Sequence, residues 1–402
     1  MTTASAVRPS LNIRSLLPLA SVSLFVGTAM SLSMPFMALF ITDELRAGPA
    51  ALGVFMFASP MAGLVIGTLL GRWSDSRAIR RNLLVAGGAA GTAGFAVFTV
   101  VREYWLLLIV SITLLAIAGS VLSQMFAYAH QFMERTNAGK APFAVSILRT
   151  VLSLAWVGGP PLGAVIVSKA SFEGLFIASA AFYLAVALVT VRLPELGVTH
   201  TATEDNIERG ALRRQMSLAI VGFVLLQGGS ALGVNAMPLF ITDVLHGSPG
   251  DAGLVLGLCA ALEIPLILWF GTLATKYDQH LIILLGASVA LAYQGIMLAT
   301  TAVWQIAAAQ VLSAIVISAV MGVGITYFQS LAPDRPGFAS TMYGNTLTLG
   351  VMVAGPLLGV AQEFGYRTAY AMALGLSILG IIALLLGRTR VRPRSAVAPT
   401  VR

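Results

Sequence analysis

The sequence predicts an all-α membrane protein, with twelve transmembrane helices arranged as two pseudo-symmetric six-helix bundles. Three observations predict it. The chain of 402 residues is 57% hydrophobic and only 10% charged, with a mean hydropathy of +0.89, whereas a soluble globular protein carries about 25% charged residues. Its apolar residues gather into twelve stretches, each near the roughly 20 residues needed to cross a bilayer. And the pentapeptide Leu39-Phe40-Ile41-Thr42-Asp43 returns as Leu239-Phe240-Ile241-Thr242-Asp243, 200 positions later.

The stretches run over 16–42, 49–71, 83–101, 105–128, 144–168, 172–191, 216–242, 249–275, 281–300, 304–329, 340–361 and 367–387. The first follows a polar, basic segment and is too long for a signal-peptide core. It also lacks a small-residue cleavage site, which predicts a retained helix. An even number of crossings returns both termini to one side. Nineteen of the 24 lysines and arginines fall on that side and four (Arg46, Arg102, Lys169 and Arg367) on the other, with Arg149 inside a span. The positive-inside rule therefore predicts cytoplasmic termini. It also assigns the net charge of +8 to orientation and contact with anionic lipid, and no nucleic-acid partner is expected. A single cysteine, Cys259, excludes an intrachain disulfide and points away from a metal cluster.

The repeat extends beyond the pentapeptide. Pro49 matches Pro249, Gly53 matches Gly253 and Gly71 matches Gly271. At an offset of 196, Gly159-Pro160-Pro161-Leu162-Gly163 matches Gly355-Pro356-Leu357-Leu358-Gly359. The expected organisation is an N-terminal bundle over 1–191, a cytoplasmic linker over 192–215 and a C-terminal bundle with a basic tail over 216–402. Glu195, Glu204, Asp205 and Glu208 make the linker a solvated one. Two parallel-related halves suit alternating access by rocking one half against the other, so the repeat points to a transporter. No phosphate-binding loop, paired catalytic carboxylates, Ser/His/Asp order or metal-ligand cluster is present in the sequence. The chain therefore reads as no enzyme, with no cofactor, and transport would be secondary. A membrane receptor or scaffold fits poorly with the short loops and the absence of an appended soluble domain.

The loop from Gly71 through Asp75 to Arg80 and Arg81 resembles that between helices two and three of the major facilitator superfamily, with Ser76 and Ala78 departing from its pattern. Four further stretches resemble the bacterial sugar efflux transporter family: Phe126-Ala127-Tyr128-Ala129, Leu148-Arg149, Ser153 to Leu162, and Leu262-Glu263-Ile264-Pro265. The resemblance implies export of sugars or glycosides across the bacterial plasma (inner) membrane. It further implies proton antiport, with a sugar and protons as partners of a monomer in the lipid bilayer. Arg149, Trp156 and Glu263 also resemble the set with which lactose permease holds a galactosyl ring. That protein's helix-four carboxylate has Gln131, beside His130, in the matching place.

The side chains themselves support roles of this kind. A guanidinium or carboxylate at a helix centre costs about 2.5–3.5 kcal/mol on insertion scales, so each needs a partner or a watered cavity. Arg149 either lines such a cavity, where its fork suits vicinal hydroxyls or Glu263, or snorkels to the headgroups. Its counterpart in the second half is Asn345. Trp156, two helical turns on, stacks on the apolar face of a pyranose or packs in the core. Glu263, the sole acid deep in an apolar span, binds a sugar hydroxyl, carries a coupling proton or does both; the bland reading is a neutral, hydrogen-bonded carboxyl. His130 is a second candidate for proton coupling, or an ordinary packed histidine. Gln124, Tyr128, Gln227, Asn235, Gln310, Tyr343 and Asn345 offer cavity donors and acceptors, or interhelical glue. Asp75 with Arg77, Arg80 and Arg81 is expected to form a cytoplasmic latch, with topology alone as the other account of the arginines. The runner-up function is a drug or amphiphile–proton antiporter on the same fold, with Met30, Met34 and Met37 in an adaptable pocket.

Overall fold

The structure, a computed structural model, describes residues 16–137, 141–196, 211–332 and 336–387. Among these residues all regular structure is helical, because hydrocarbon leaves a spanning backbone no partner but itself. The first four helices are α1 (Leu17–Glu44), α2 (Pro49–Ser74), α3 (Arg80–Val100) and α4 (Tyr104–Met133). A helical segment of 45 residues, Ile147–Val191, follows, more than twice what one crossing needs. Its backbone leaves the helix at Ala170 (φ −136°) and Ser171 (φ 56°). The break divides it into α5 (147–169) and α6 (172–191). The second half contains α7 (Arg214–Val244), α8 (Pro249–Leu273), α9 (Gln279–Ala299), α10 (Val303–Leu331), α11 (Phe338–Phe364) and α12 (Arg367–Leu386). The count is twelve, as the hydropathy predicts. Most of the expected linker (197–210), the terminal 1–15 and the basic tail from 388 on lie outside the described residues.

Local chemistry explains the repeated start of each half. α2 and α8 begin at Pro49 and Pro249, where a missing amide hydrogen costs nothing. Ser248 and Asp251 close a reciprocal capping box on α8. Before these prolines the two pentapeptides form matching π-turns. Leu45 N–H donates to the Phe40 carbonyl at 3.2 Å and Leu245 N–H to the Phe240 carbonyl at 3.1 Å. Ala47 and Gly247 then donate to Ile41 and Ile241 at 3.1 and 2.8 Å. The intervening residues, Arg46 (φ 48°) and His246 (φ 55°), both take the left-handed conformation. Two arginines from the side remote from the termini cover the π-turn rings, Arg102 over Phe40 at 5.6 Å and Arg367 over Phe240 at 5.2 Å.

Among the described residues the closest contacts between the halves lie at one end. α2 packs on α11 where a Cβ on Gly355 would stand 2.6 Å from the Met56 backbone. α5 packs on α8, where a Cβ on Gly253 would stand 2.7 Å from the Pro160 carbonyl and one on Gly257 3.3 Å from the Val157 carbonyl. Gln362 Nε2 on α11 donates to the Ala47 carbonyl at 2.8 Å, just before α2. All of these lie at the end remote from the termini. There a single apolar core runs through both halves, from Phe36 and Phe40 to Leu232, Phe240, Leu358 and Tyr370. Toward the termini the core divides, and a separate cluster around Phe223, Phe328 and Tyr343 belongs to the second half alone. Along the same direction Gly63 and Gly67 of α2 and Gly344 of α11 have open space where a Cβ would stand. The molecule is sealed at its far end and parted at the end that carries the termini.

Candidate functional site

α5 owes its position to small residues on α1. Ser23 Oγ donates to the Leu148 carbonyl at 2.7 Å, and Ser31 Oγ donates to the Ala155 carbonyl at 3.0 Å. Leu148 and Ala155 immediately precede Arg149 and Trp156. Between the serines, Gly27 lets Leu152 approach so closely that a Cβ would stand 2.7 Å from its Cδ1. The helix bearing two of the predicted site residues is thus fixed in height and rotation by backbone carbonyls on its buried side. Arg149 emerges on the other side, exposed, with its guanidinium 5.7 Å from the ring centre of Phe126 on α4. Its charge acts on the Tyr343 hydroxyl of α11, in the opposite half. Arg149 therefore faces the gap between the halves. Trp156 is half-buried on the same helix.

Glu263 lies on α8, the helix that packs on α5. The α5–α8 seam is antiparallel, since Gly253 meets Pro160 and Ala164 while Gly257 meets Val157 and Pro161. Measured from the Val157–Gly257 contact at 1.5 Å per residue, Trp156 lies about 1.5 Å, Glu263 about 9 Å and Arg149 about 12 Å toward the termini. Glu263 and Arg149 thus lie within about 3 Å of one another in height, and Trp156 lies one to two helical turns nearer the seal. Glu263 is half-buried and its Oε1 accepts from the Cys259 thiol at 3.6 Å, while Ser318 Oγ donates to its backbone carbonyl at 3.4 Å. Among the described residues Glu263 makes no ion pair with Arg149.

The remaining candidates divide by environment. Gln227 on α7 is buried against Gly350 of α11, with its amide beside the Tyr343 hydroxyl. Tyr343 donates to the Met321 carbonyl at 2.8 Å. Asn235 and Asn345 are half-buried on α7 and α11. Gln124 on α4 is buried with Oε1 unpaired. Tyr128 lies fully inside the first half and donates to the Pro194 carbonyl at 2.6 Å, so its hydroxyl is engaged away from the gap. Gln310 is buried in α10, its Nε2 donating to the Ile306 carbonyl at 3.2 Å. His130 is exposed on α4, in the half opposite Glu263. Of the expected latch, Arg81 N–H donates to Glu195 Oε1 at 3.2 Å, and its Nε stands 3.7 Å from Oε2. Arg77 lies 5.4 Å over the ring of Trp73, and Arg80 begins α3. The Asp75 side chain lies outside the described residues.

Sequence reasoning did not single out Ser23 and Ser31, the clamps on α5, nor Ser313 on α10, whose Oγ stands 3.6 Å from Cys259 Sγ. A signal for the first pair was present: two serines eight residues apart share a helix face with Gly27 between them. Small residues of this kind let membrane helices approach closely.

Known proteins can be set beside this geometry. The model of the Major Facilitator Superfamily matches residues 19–225 and 218–401. The sugar efflux transporter B of Salmonella typhimurium is 32% identical over 366 residues, covering 90% of this chain and 93% of that protein. The sugar efflux transporter C of Escherichia coli is 30% identical over 370 residues, covering 90% and 93%. The fold of the nucleoside transporter NupG superposes with a TM-score of 0.76 at 13% identity, over 92% of this chain and 98% of that one. A bacterial homologue of the human lysosomal transporter Spinster, in an inward-facing and occupied conformation, gives 0.76 at 12% identity, over 93% and 96%. The structural likenesses carry the fold, and the sequence relatives carry the family. The chain belongs to the Major Facilitator Superfamily, as a member of its sugar efflux transporter family.

Proposed function

We propose that the protein exports sugars or glycosides across the bacterial inner membrane by proton antiport, working as a monomer with both termini in the cytoplasm. The observation that supports this reading is that Arg149 and Trp156 on α5 and Glu263 on α8 belong to the two helices that pair across the halves at the sealed end. In the conformation described, sugar enters from the terminus side. The Arg149 fork donates to vicinal hydroxyls, the Trp156 indole covers the apolar face of the ring, and ionised Glu263 accepts a further hydroxyl. Gln227, Asn235 and Asn345 lie on walls of the second half that a bound ring would reach. Rocking of the 1–191 bundle against the 216–402 bundle then parts the α2–α11 and α5–α8 seams and closes the other end. Sugar leaves, Glu263 takes a proton from the far side, and the protonated protein returns. We assign the coupling proton to Glu263 rather than His130, because Glu263 stands at the level of the sugar. Asp75, Arg77, Arg80 and Arg81, at the cytoplasmic turn between α2 and α3, would latch the closed cytoplasmic end. The test is transport of labelled lactose or glucoside in proteoliposomes with an imposed pH gradient. Sugar movement opposite to protons supports the reading, and movement indifferent to the gradient overturns it.

A further inference from the structure

A cavity of about 20 Å³ lies in the second half, between α7, α9 and α10. One water needs about 10–15 Å³ and two to four polar partners. Ser230, Tyr293, Gln294 and Ser313 supply the polar part of the lining. Gln294 is 3% exposed, and its Oε1 has no protein partner. A buried amide oxygen left unpaired is costly, and water in the cavity would satisfy it.

The cavity is joined to Glu263. Ser313 Oγ lines it and stands 3.6 Å from Cys259 Sγ, where its hydroxyl can donate to the sulfur, and the Cys259 thiol donates to Glu263 Oε1 at 3.6 Å. Tyr293 interacts with Ser313, Gln310 and Tyr370 in turn. At 1.5 Å per residue these groups approach the sealed end in order. Glu263 is about 21 Å from the start of α8, Cys259 and Ser313 about 15 Å from the far ends of their helices, Tyr293 about 9 Å and Tyr370 about 5 Å. The series runs through the helices of the second half.

We propose that the cavity holds water and that this water, Ser313 and Cys259 carry the coupling proton between Glu263 and the far side of the protein. The inference rests on Glu263 being the proton carrier. To protonate Glu263, the water takes up a proton arriving from the far side and gives one to Ser313 Oγ, Ser313 passes its own to Cys259 Sγ, and Cys259 passes its own to Glu263 Oε1. Each relay group ends with the number of protons it began with, and only the carboxylate changes charge. Among the described residues the polar groups facing Glu263 are Cys259 on its own helix and, from α10, Ser318 and, through Cys259, Ser313. Beyond the cavity the route is shut in this conformation. Leu232 and Met297 are fully buried there, and the Tyr370 hydroxyl is engaged by the Gly233 carbonyl at 3.4 Å. A route shut while the sugar gap is open keeps the proton from leaking.

The test uses the full chain in proteoliposomes, with lactose counterflow as the measure of gradient-independent exchange. Ser313→Val removes the hydroxyl and fills the cavity. Cys259→Ala cuts the link to Glu263, and Cys259→Ser restores it with a better relay group. Ser313→Val and Cys259→Ala are expected to lower gradient-driven transport by about 100-fold while counterflow stays at the level of the unaltered protein, and Cys259→Ser is expected to keep both. Gradient-driven transport retained by Ser313→Val overturns the relay. If Ser313→Val loses counterflow as well, the cysteine pair decides: equal coupling in Cys259→Ala and Cys259→Ser overturns it. If Glu263→Gln remains coupled, the reading of Glu263 fails first and takes the relay with it. If Glu263→Gln is uncoupled and Ser313→Val is not, the relay alone is wrong.

Discussion

Ser31 Oγ on α1 donates to the carbonyl oxygen of Ala155 on α5 at 3.0 Å, one residue before Trp156. A Cβ on Gly159, one turn further along α5, would fall on that same hydroxyl. The height of the indole therefore depends on a serine that touches no solute. Gly159→Ala is expected to cost about 1–3 kcal/mol of stability through overpacking and to weaken sugar binding with it. Ser31→Ala, which only leaves a carbonyl unpaired, should cost about 1 kcal/mol. Thermal unfolding in detergent, read beside lactose affinity, checks both.

Arg149→Lys keeps the charge and loses the planar fork, so a bidentate role and a purely electrostatic one part company here. Sugar affinity is expected to fall about tenfold or more, the value of one lost charge-assisted hydrogen bond. Trp156→Ala should abolish export of labelled lactose or glucoside from cells. Normal export by the tryptophan variant would show that the ring is not what holds the sugar.

Glu263→Gln keeps the shape and a hydroxyl partner but cannot ionise. Gradient-driven export should disappear while counterflow persists. Loss of both would assign the carboxylate to sugar binding alone, and equilibrium binding of labelled lactose would confirm which.

The seal between α2 and α11 is made of backbone. A Cβ on Gly355 would stand 2.6 Å from the Met56 carbonyl carbon, so Gly355→Val should prise the far end open. Spin labels at Arg46→Cys and His246→Cys, in a Cys259→Ser background, should then report a longer distance than in the parent. An unchanged distance would show that the seam tolerates a branched side chain.

Arg81 and Glu195 pair at 3.7 Å with both side chains partly exposed. Such pairs contribute about 0–1 kcal/mol, so Glu195→Gln should leave the unfolding temperature nearly unchanged. Any change should appear instead in the rate of gradient-driven transport and its dependence on salt.

The twelve crossings and their two-fold repeat were legible because both are one-dimensional properties of a chain in hydrocarbon. Even the π-turns at Phe40 and Phe240 follow from one repeated pentapeptide. Arg149 and Glu263 stood out for a related reason, since a lone charge in an apolar run is visible without knowing its neighbours. Tyr128 shows where that stops. Its depth was readable, but the face it shares with Pro194 depends on how α4 meets the end of α6. The water-sized cavity was harder still: Ser230, Gln294 and Ser313 come from three helices and carry no shared pattern. Ser23 and Ser31 read as ordinary small polar residues until α5 was laid against them.

The break at Ala170 and Ser171 turns a 45-residue rod into a tight hairpin, with Ser171 in a left-handed conformation (φ 56°) that glycine adopts freely. A short corner leaves α5 and α6 no slack to slide past one another. A shift of α5 beside Trp156 is therefore expected to carry α6 with it.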